Sequence, residues 1–109
     1  MKVDIEYIDE VGVVRFEGRL DATNARDFKE TFMKWNNKVC HFVFDFSHLN
    51  FVDSTGLGAV VSCLKSIREN KKELRLVGLC PKVRLVFEIT QAHRIFDIYD
   101  NLNTAIDTL

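Results

Sequence analysis

No stretch of this sequence approaches the ~20 consecutive apolar residues that a membrane-crossing helix needs. Its first residues carry Asp4 and Glu6 where a secretory signal requires an apolar run. A soluble, cytoplasmic protein with no membrane partner is therefore expected. Charge of one sign is equally lacking: 15 basic against 16 acidic residues leave a formal net charge of −1, so no basic field is available to hold nucleic acid. The three cysteines, Cys40, Cys63 and Cys80, are odd in number, far apart and set among apolar residues. That spacing excludes a disulfide frame and a thiolate metal site, and it predicts reduced cysteines in the core. His41, His48 and His93 share no ligand spacing and no Gly-x-x-x-x-Gly-Lys loop is present, so neither a metal site nor a P-loop is expected, and no cofactor. With no repeat, linker or low-complexity segment, residues 1–109 read as one domain.

What the chain does have is apolar bulk: 47% of its residues are hydrophobic and nine are phenylalanine, enough for a single aromatic-rich core. Val3, Ile5 and Tyr7 alternate with Asp4 and Glu6, and the run Val11 to Phe16 follows Asp9-Glu10, which predicts two strands joined by a tight turn. Asp21 or Thr23 is placed to cap a helix carrying Ala25, Phe28, Phe32 and Trp35 on one face and stopped at Asn36-Asn37-Lys38. Phe42 to Phe46 is too short for a helix and too apolar for a surface strand, and reads as a central strand covered on both faces. From Thr55 the spacing of Leu57, Val60, Val61, Leu64 and Ile67 predicts a helix with one buried face, ending in the polar run Arg68 to Glu73. Leu74 to Val77 reads as a strand closed by Gly78. Pro81 suits the first turn of a helix reaching Thr90, with Val83, Val86 and Phe87 inward. Ile95 to Tyr99 reads as a short strand, and Asn103 as the cap of a last helix. A hairpin followed by helix, strand, helix, strand, helix predicts an α/β fold whose mixed sheet is built by right-handed crossovers.

Functional loops of an open α/β sheet gather beyond the carboxyl ends of its strands, and the polar link Ser47 to Asp53 lies at such an end. Asp53-Ser54-Thr55-Gly56-Leu57-Gly58 then opens the long helix. Asp53 or Ser54 suits the N-cap, and Gly56 admits a close neighbour. Unpaired amides and the positive end of the helix dipole converge on Ser54, so the fold tolerates an anion on its hydroxyl. The same residue types also suit a plain N-cap followed by a glycine. Enzyme readings fit less well. A hydrolase elbow needs Gly-x-Ser-x-Gly, and Val52 stands in place of the first glycine. An aspartic protease needs one hydroxyl residue between Asp and Gly, and two intervene here. Asp45 has Ser47 where a dehalogenase-type site has its second acid, and it reads as an acceptor for neighbouring amides. No enzyme is expected.

The run Phe44-Asp45-Phe46-Ser47-His48-Leu49-Asn50-Phe51-Val52-Asp53-Ser54-Thr55-Gly56-Leu57-Gly58 closely resembles the signature of the STAS domain of bacterial anti-sigma factor antagonists. Gly18-Arg19-Leu20-Asp21 resembles that family's Gly-acid-Leu-Asp, with Arg19 basic where the family often has an acid, and Ile95 to Tyr99 resembles its closing segment. The resemblance implies a small α/β domain with a mixed sheet of four or five strands, an opening β-hairpin and helices mainly on one face. It also implies a phosphorylation-switched binding protein that, unphosphorylated, binds an anti-sigma factor and frees a sigma factor. By the resemblance Ser54 is the phosphorylated residue, the kinase is the anti-sigma factor itself, of the histidine-kinase-like ATPase type, and a PP2C-type phosphatase resets the switch. Asp21 and Asp53 match acids bordering that site, whereas Thr55 lies one residue deeper into the helix. Thr55, Gly56, Leu57 and Gly58 complete the phosphosite surroundings. Ala59, Ser62 and Ser66 are expected on the outer side of the helix, where small residues let a partner approach, and with the link Ser47 to Asp53 they form the expected interface. A monomer or weak homodimer is expected. Two alternatives stand beside this reading: a STAS scaffold or accessory subunit of a stress-signalling, lipid-transport or anion-transport system, and a weak nucleotide-binding or hydrolytic enzyme using Ser54.

Overall fold

The computed structural model describes residues 1–38 and 40–109. In chain order the elements are β1 (Lys2–Ile8), β2 (Val11–Leu20), α1 (Ala25–Asn36), β3 (His41–Val52), α2 (Ser54–Glu69), β4 (Leu74–Val77), α3 (Pro81–Ile89), a 3-10 turn (Ala92–Arg94), β5 (Asp97–Tyr99) and α4 (Leu102–Asp107). They form one five-stranded sheet in the order β1-β2-β3-β4-β5. Only β1 runs antiparallel to its neighbour, joined to β2 by Asp9 and Glu10, both at positive φ, as a two-residue hairpin turn requires. The remaining pairings are parallel. Each new parallel strand is added on the same side of the last, so crossovers of one hand place every crossing helix on one face.

Alternation along the strands divides the core accordingly. Val14, Phe16, Phe42, Phe44, Leu74 and Leu76 point to the face covered by α1, α2 and α3, while Val11, Val13, Val43 and Val77 point to the other, where Ala105 of α4 meets them. Eight of the nine phenylalanines lie in the larger cluster, linked by tilted and edge-on ring contacts such as Phe16 to Phe46 at 4.9 Å. The smaller cluster is held down by Arg75. Its side chain is buried beneath α4 and donates from Nη1 to the Ala105 carbonyl (3.0 Å) and to the Thr108 hydroxyl.

Several boundaries differ from the sequence expectation. The central strand does not stop at Phe46. It runs on to Val52, so the expected polar link Ser47 to Asp53 is strand nearly throughout. Beyond Asp45 it loses β4 as a partner but keeps β2, pairing His48 with Glu17 and Val52 with Leu20 across two register shifts. Polar residues are tolerated there because one edge and one face are open, while Leu49 and Val52 remain buried. The α1 N-cap position is held by Asn24, not by Asp21 or Thr23, and α4 is capped by Asn101, whose side chain accepts from the Thr104 amide, not by Asn103. The last strand is shorter than Ile95 to Tyr99, because Ala92–Arg94 turn first. Among the cysteines Cys63 alone is fully buried, and Cys40 and Cys80 are half-buried.

Candidate functional site

At the carboxyl end of β3 the chain turns directly into α2, and Asp53 is the hinge of that turn. It is the N-cap: one carboxylate oxygen accepts from the Gly56 amide at 2.7 Å, and its carbonyl accepts from the Leu57 amide at 2.9 Å. The other carboxylate oxygen accepts from the Ala22 amide at 3.0 Å, in the turn after β2. The Asp53 amide in turn donates to the Leu20 carbonyl at 3.3 Å. Asp53 therefore fastens the start of α2 to the end of β2. Gly56 lies against the same carbonyl: a Cβ there would sit 2.3 Å from the Leu20 oxygen, so only glycine fits.

The turn following β2 is closed by its own polar side chains. The Asn24 side chain accepts from the Asp21 amide (3.0 Å) and donates to the Arg19 carbonyl (2.8 Å), and Asp21 accepts from both the amide and the hydroxyl of Thr23. Those Thr23 hydrogen bonds, the hydroxyl first, hold the Asp21 carboxyl below its ordinary value, and the neighbouring Arg19 adds to the effect. Asp53 is thus directed into the backbone, and Asp21 toward Thr23 and Arg19.

Ser54 is the first residue of α2 and is exposed, as is Thr55. With the Gly56 and Leu57 amides bound by Asp53, those of Ser54 and Thr55 take no partner among the described residues. An exposed hydroxyl beside free amides at the positive end of a sixteen-residue helix is a place where added negative charge meets no buried carboxylate. Among the described residues no group of three or more His, Cys, Asp or Glu side chains is placed to hold a metal ion. No helix among them is long and apolar enough to cross a membrane.

The other sequence-predicted residues divide between surface and interior. Gly58 faces solvent with open space above it, and Ser62 is half-buried. Gly56 and Leu57 are buried and shape the turn from within. The expected outer face of Ala59, Ser62 and Ser66 is corrected by the structure: Ala59 is buried, and Ser66 accepts from the Asn36 side chain of α1 at 2.8 Å. Small residues on that side let α1 pack closely. The outward strip is instead Ser54, Thr55, Gly58, Lys65 and Glu69. Asp45 serves as the expected local acceptor, taking the Ser47 amide at 2.9 Å. Sequence reasoning did not single out Ala22, which acts through its backbone amide and so carries no sequence signal, nor Asn24, whose side chain closes the turn on the Asp21 amide and the Arg19 carbonyl.

A match to the STAS domain family covers residues 2–105. The chain belongs to the STAS domain family. It is 33% identical over 96 residues to the anti-sigma-B factor antagonist of Listeria monocytogenes, covering 87% of this chain and 81% of that protein. It is 30% identical over 93 residues to the anti-sigma-B factor antagonist of Staphylococcus epidermidis, covering 83% and 86%. Among solved structures, a Thermotoga maritima protein described as a candidate anti-sigma factor antagonist superposes with a TM-score of 0.90 at 27% identity, over 97% of this chain and 92% of that one. The five-stranded mixed sheet with its opening hairpin is the fold of these STAS structures.

Proposed function

We propose that this STAS domain is an anti-sigma factor antagonist: a cytoplasmic, non-enzymatic binding protein that unphosphorylated holds an anti-sigma factor of the serine-kinase type, and that loses this partner when Ser54 is phosphorylated. The observation that carries the reading is the exposed Ser54 hydroxyl at the head of α2, in a turn whose acids are already tied to backbone amides. Its likeness to two proteins named anti-sigma-B factor antagonists supports the partner class. A PP2C-type phosphatase would complete the cycle by restoring the hydroxyl.

The switch follows from charge. A phosphate adds about −1.5 to −2 charges. The helix N-terminus absorbs them without unfolding, because free amides and the dipole favour an anion there. A partner surface docked on the Ser54 strip meets that charge at close range. One acid of the partner at ~5 Å opposes it by roughly 3 kcal/mol per unit charge pair at an effective dielectric of ~20, which lowers affinity about a hundredfold.

The test is a pull-down from lysate with wild type, Ser54→Ala and Ser54→Asp, together with the intact mass of the purified wild type. Wild type and Ser54→Ala are expected to retain an ATP-binding kinase, and Ser54→Asp to lose it. Retention of one common partner by all three, or recovery of a lipid-transport complex, would overturn the switch in favour of a scaffold role.

A further inference from the structure

Phe51 is the one phenylalanine outside the core, half-exposed near the end of β3. Two cations lie over its ring: the Arg19 guanidinium at 4.0 Å from the centroid and the Lys82 ammonium at 5.9 Å. The three residues come from β2, β3 and α3, so tertiary structure rather than local sequence brings them together. Arg19 is additionally held by Asn24 on its carbonyl, and its Nε lies 3.6 Å from Asp21. Its side chain nevertheless remains 57% exposed. Arg19 is thus paired with one acid, Asp21, whereas among the described residues the Lys82 ammonium has no ion-pair partner. Asp53 turns both oxygens toward the Ala22 and Gly56 amides, and Asp21 turns one toward Thr23 while the other lies nearest the Arg19 Nε. With two cations against the one acid, Asp21, that pairs with Arg19, the surroundings of the Phe51 ring carry an excess of positive charge.

We propose that Arg19, Phe51 and Lys82 form a docking platform for an acidic segment of the protein partner, and that the sign of this platform selects which partner is accepted. The inference rests on the partner-binding reading above and extends it by naming the partner's chemistry. A guanidinium lying on a ring and steadied by Asp21 at Nε is held in one orientation, ready to offer its terminal nitrogens to a further carboxylate with little added ordering. The platform is continuous with the proposed switch. Arg19 pairs with Phe51, the next pair is Leu20 with Val52, and Asp53 and Ser54 follow directly. Charge complementarity at such a rim governs association rate and excludes partners that present cations there.

The experiment has two arms. First, the isolated 15N-labelled protein is titrated at low salt with acetylated hexaglutamate, with hexalysine as control. Saturable shifts are expected at the Arg19 side-chain Nε–H and at the amides of Phe51 and Lys82. They should weaken at least tenfold in the Arg19→Gln/Lys82→Gln variant, whose remaining amide spectrum reports an intact fold, and in 1 M salt. Absent shifts, or shifts centred instead on Lys65 to Lys72, overturn the platform. Second, the kinase retained by Ser54→Ala is purified and its affinity measured against Arg19→Glu and Ser54→Asp. A tenfold or greater loss with Arg19→Glu supports the platform. Loss with Ser54→Asp but not Arg19→Glu overturns the platform and leaves the switch standing. Loss with Arg19→Glu alone overturns the switch and leaves the platform.

Discussion

Two glycines two residues apart in α2 should respond to the same substitution with opposite sign. In Gly56→Ala the new methyl would lie 2.3 Å from the Leu20 carbonyl oxygen, 2.9 Å from its carbon and 3.0 Å from the Leu20 side chain. That carbonyl cannot retreat freely, because it already accepts the Asp53 amide, and Asp53 holds Ala22. Overpacking against a fixed backbone costs about 1–3 kcal/mol or more. Greater helix propensity of alanine returns at most about 1 kcal/mol, so the clash prevails. In Gly58→Ala nothing lies within 4 Å of the added methyl, and only the propensity gain remains. For a domain of this size each kcal/mol moves the melting midpoint by roughly 4–8 °C. Gly56→Ala is thus expected to melt lower than wild type by roughly 5–15 °C, and Gly58→Ala higher by a few degrees, in thermal scans followed by circular dichroism. Midpoints that move in the same direction for both variants would refute the claim that Leu20 abuts the head of α2. Binding of the proposed anti-sigma factor partner would separate the two roles further: Gly58 lies on the outward strip, so its alanine variant is expected to lose affinity while gaining stability.

Two more outcomes follow from buried groups. Burial pushes the Cys63 thiol up to about 12 from an ordinary 9.0, so a thiol reagent at pH 8 should label Cys40 and Cys80 well before Cys63, which reacts only on unfolding. Since the unfolded thiol ionises above pH 9 and the folded one does not, this site's contribution to stability is complete below pH 9 and declines between pH 9 and 12; a Cys63→Ala variant should show a flatter alkaline profile in urea titrations. Arg75→Ala removes the bonds to Ala105 and Thr108 beneath α4, with an expected cost of about 2–4 kcal/mol. A helix of six residues does not persist without packing, so hydrogen exchange at residues 104 to 108 should approach unprotected rates while α2 stays protected, and unchanged protection in α4 would refute the latch.

Strong periodic signals carried the fold, and the departures have physical causes. The hairpin was legible because Val3, Ile5 and Tyr7 alternate against acids, and β4 because four apolar residues sit between a polar run and Gly78. The second half of β3 was not legible, because Ser47, His48 and Asn50 look like a loop wherever a strand has lost one neighbour and one covered face. The helical spacing of α2 picked out Leu57, Val60, Leu64 and Ile67, which are buried, together with Val61, which is only half-buried, but it did not show what lies against the flank of the helix. Ala59 is buried and Ser66 meets Asn36 of α1, and a small residue looks the same in sequence whether it admits a neighbouring helix or a partner. Asp53 and Ser54 were placed correctly at the helix start, since a polar pair before an apolar-periodic run is a strong cap signal. The second tether of Asp53, to an amide 31 residues earlier, has no local signature.

That second tether bears on how a small domain can carry a switch without being remodelled by it. A lone N-cap carboxylate beside a phosphoserine would be repelled by it, and the helix start would move. In this corner each Asp53 oxygen is held by a separate backbone amide, from Gly56 on one side and Ala22 on the other, and Gly56 leaves no gap into which the turn can shift. Repulsion from a phosphate on Ser54 is then met by a braced frame, and the free amides at the head of α2 offer the phosphate an attraction of its own. Such a phosphate would change the surface instead, turning a neutral hydroxyl into a group of about −1.5 to −2 charges along the strip a partner would cover. A phosphate on Ser54 would therefore be read by the partner as lost affinity rather than by this domain as lost structure.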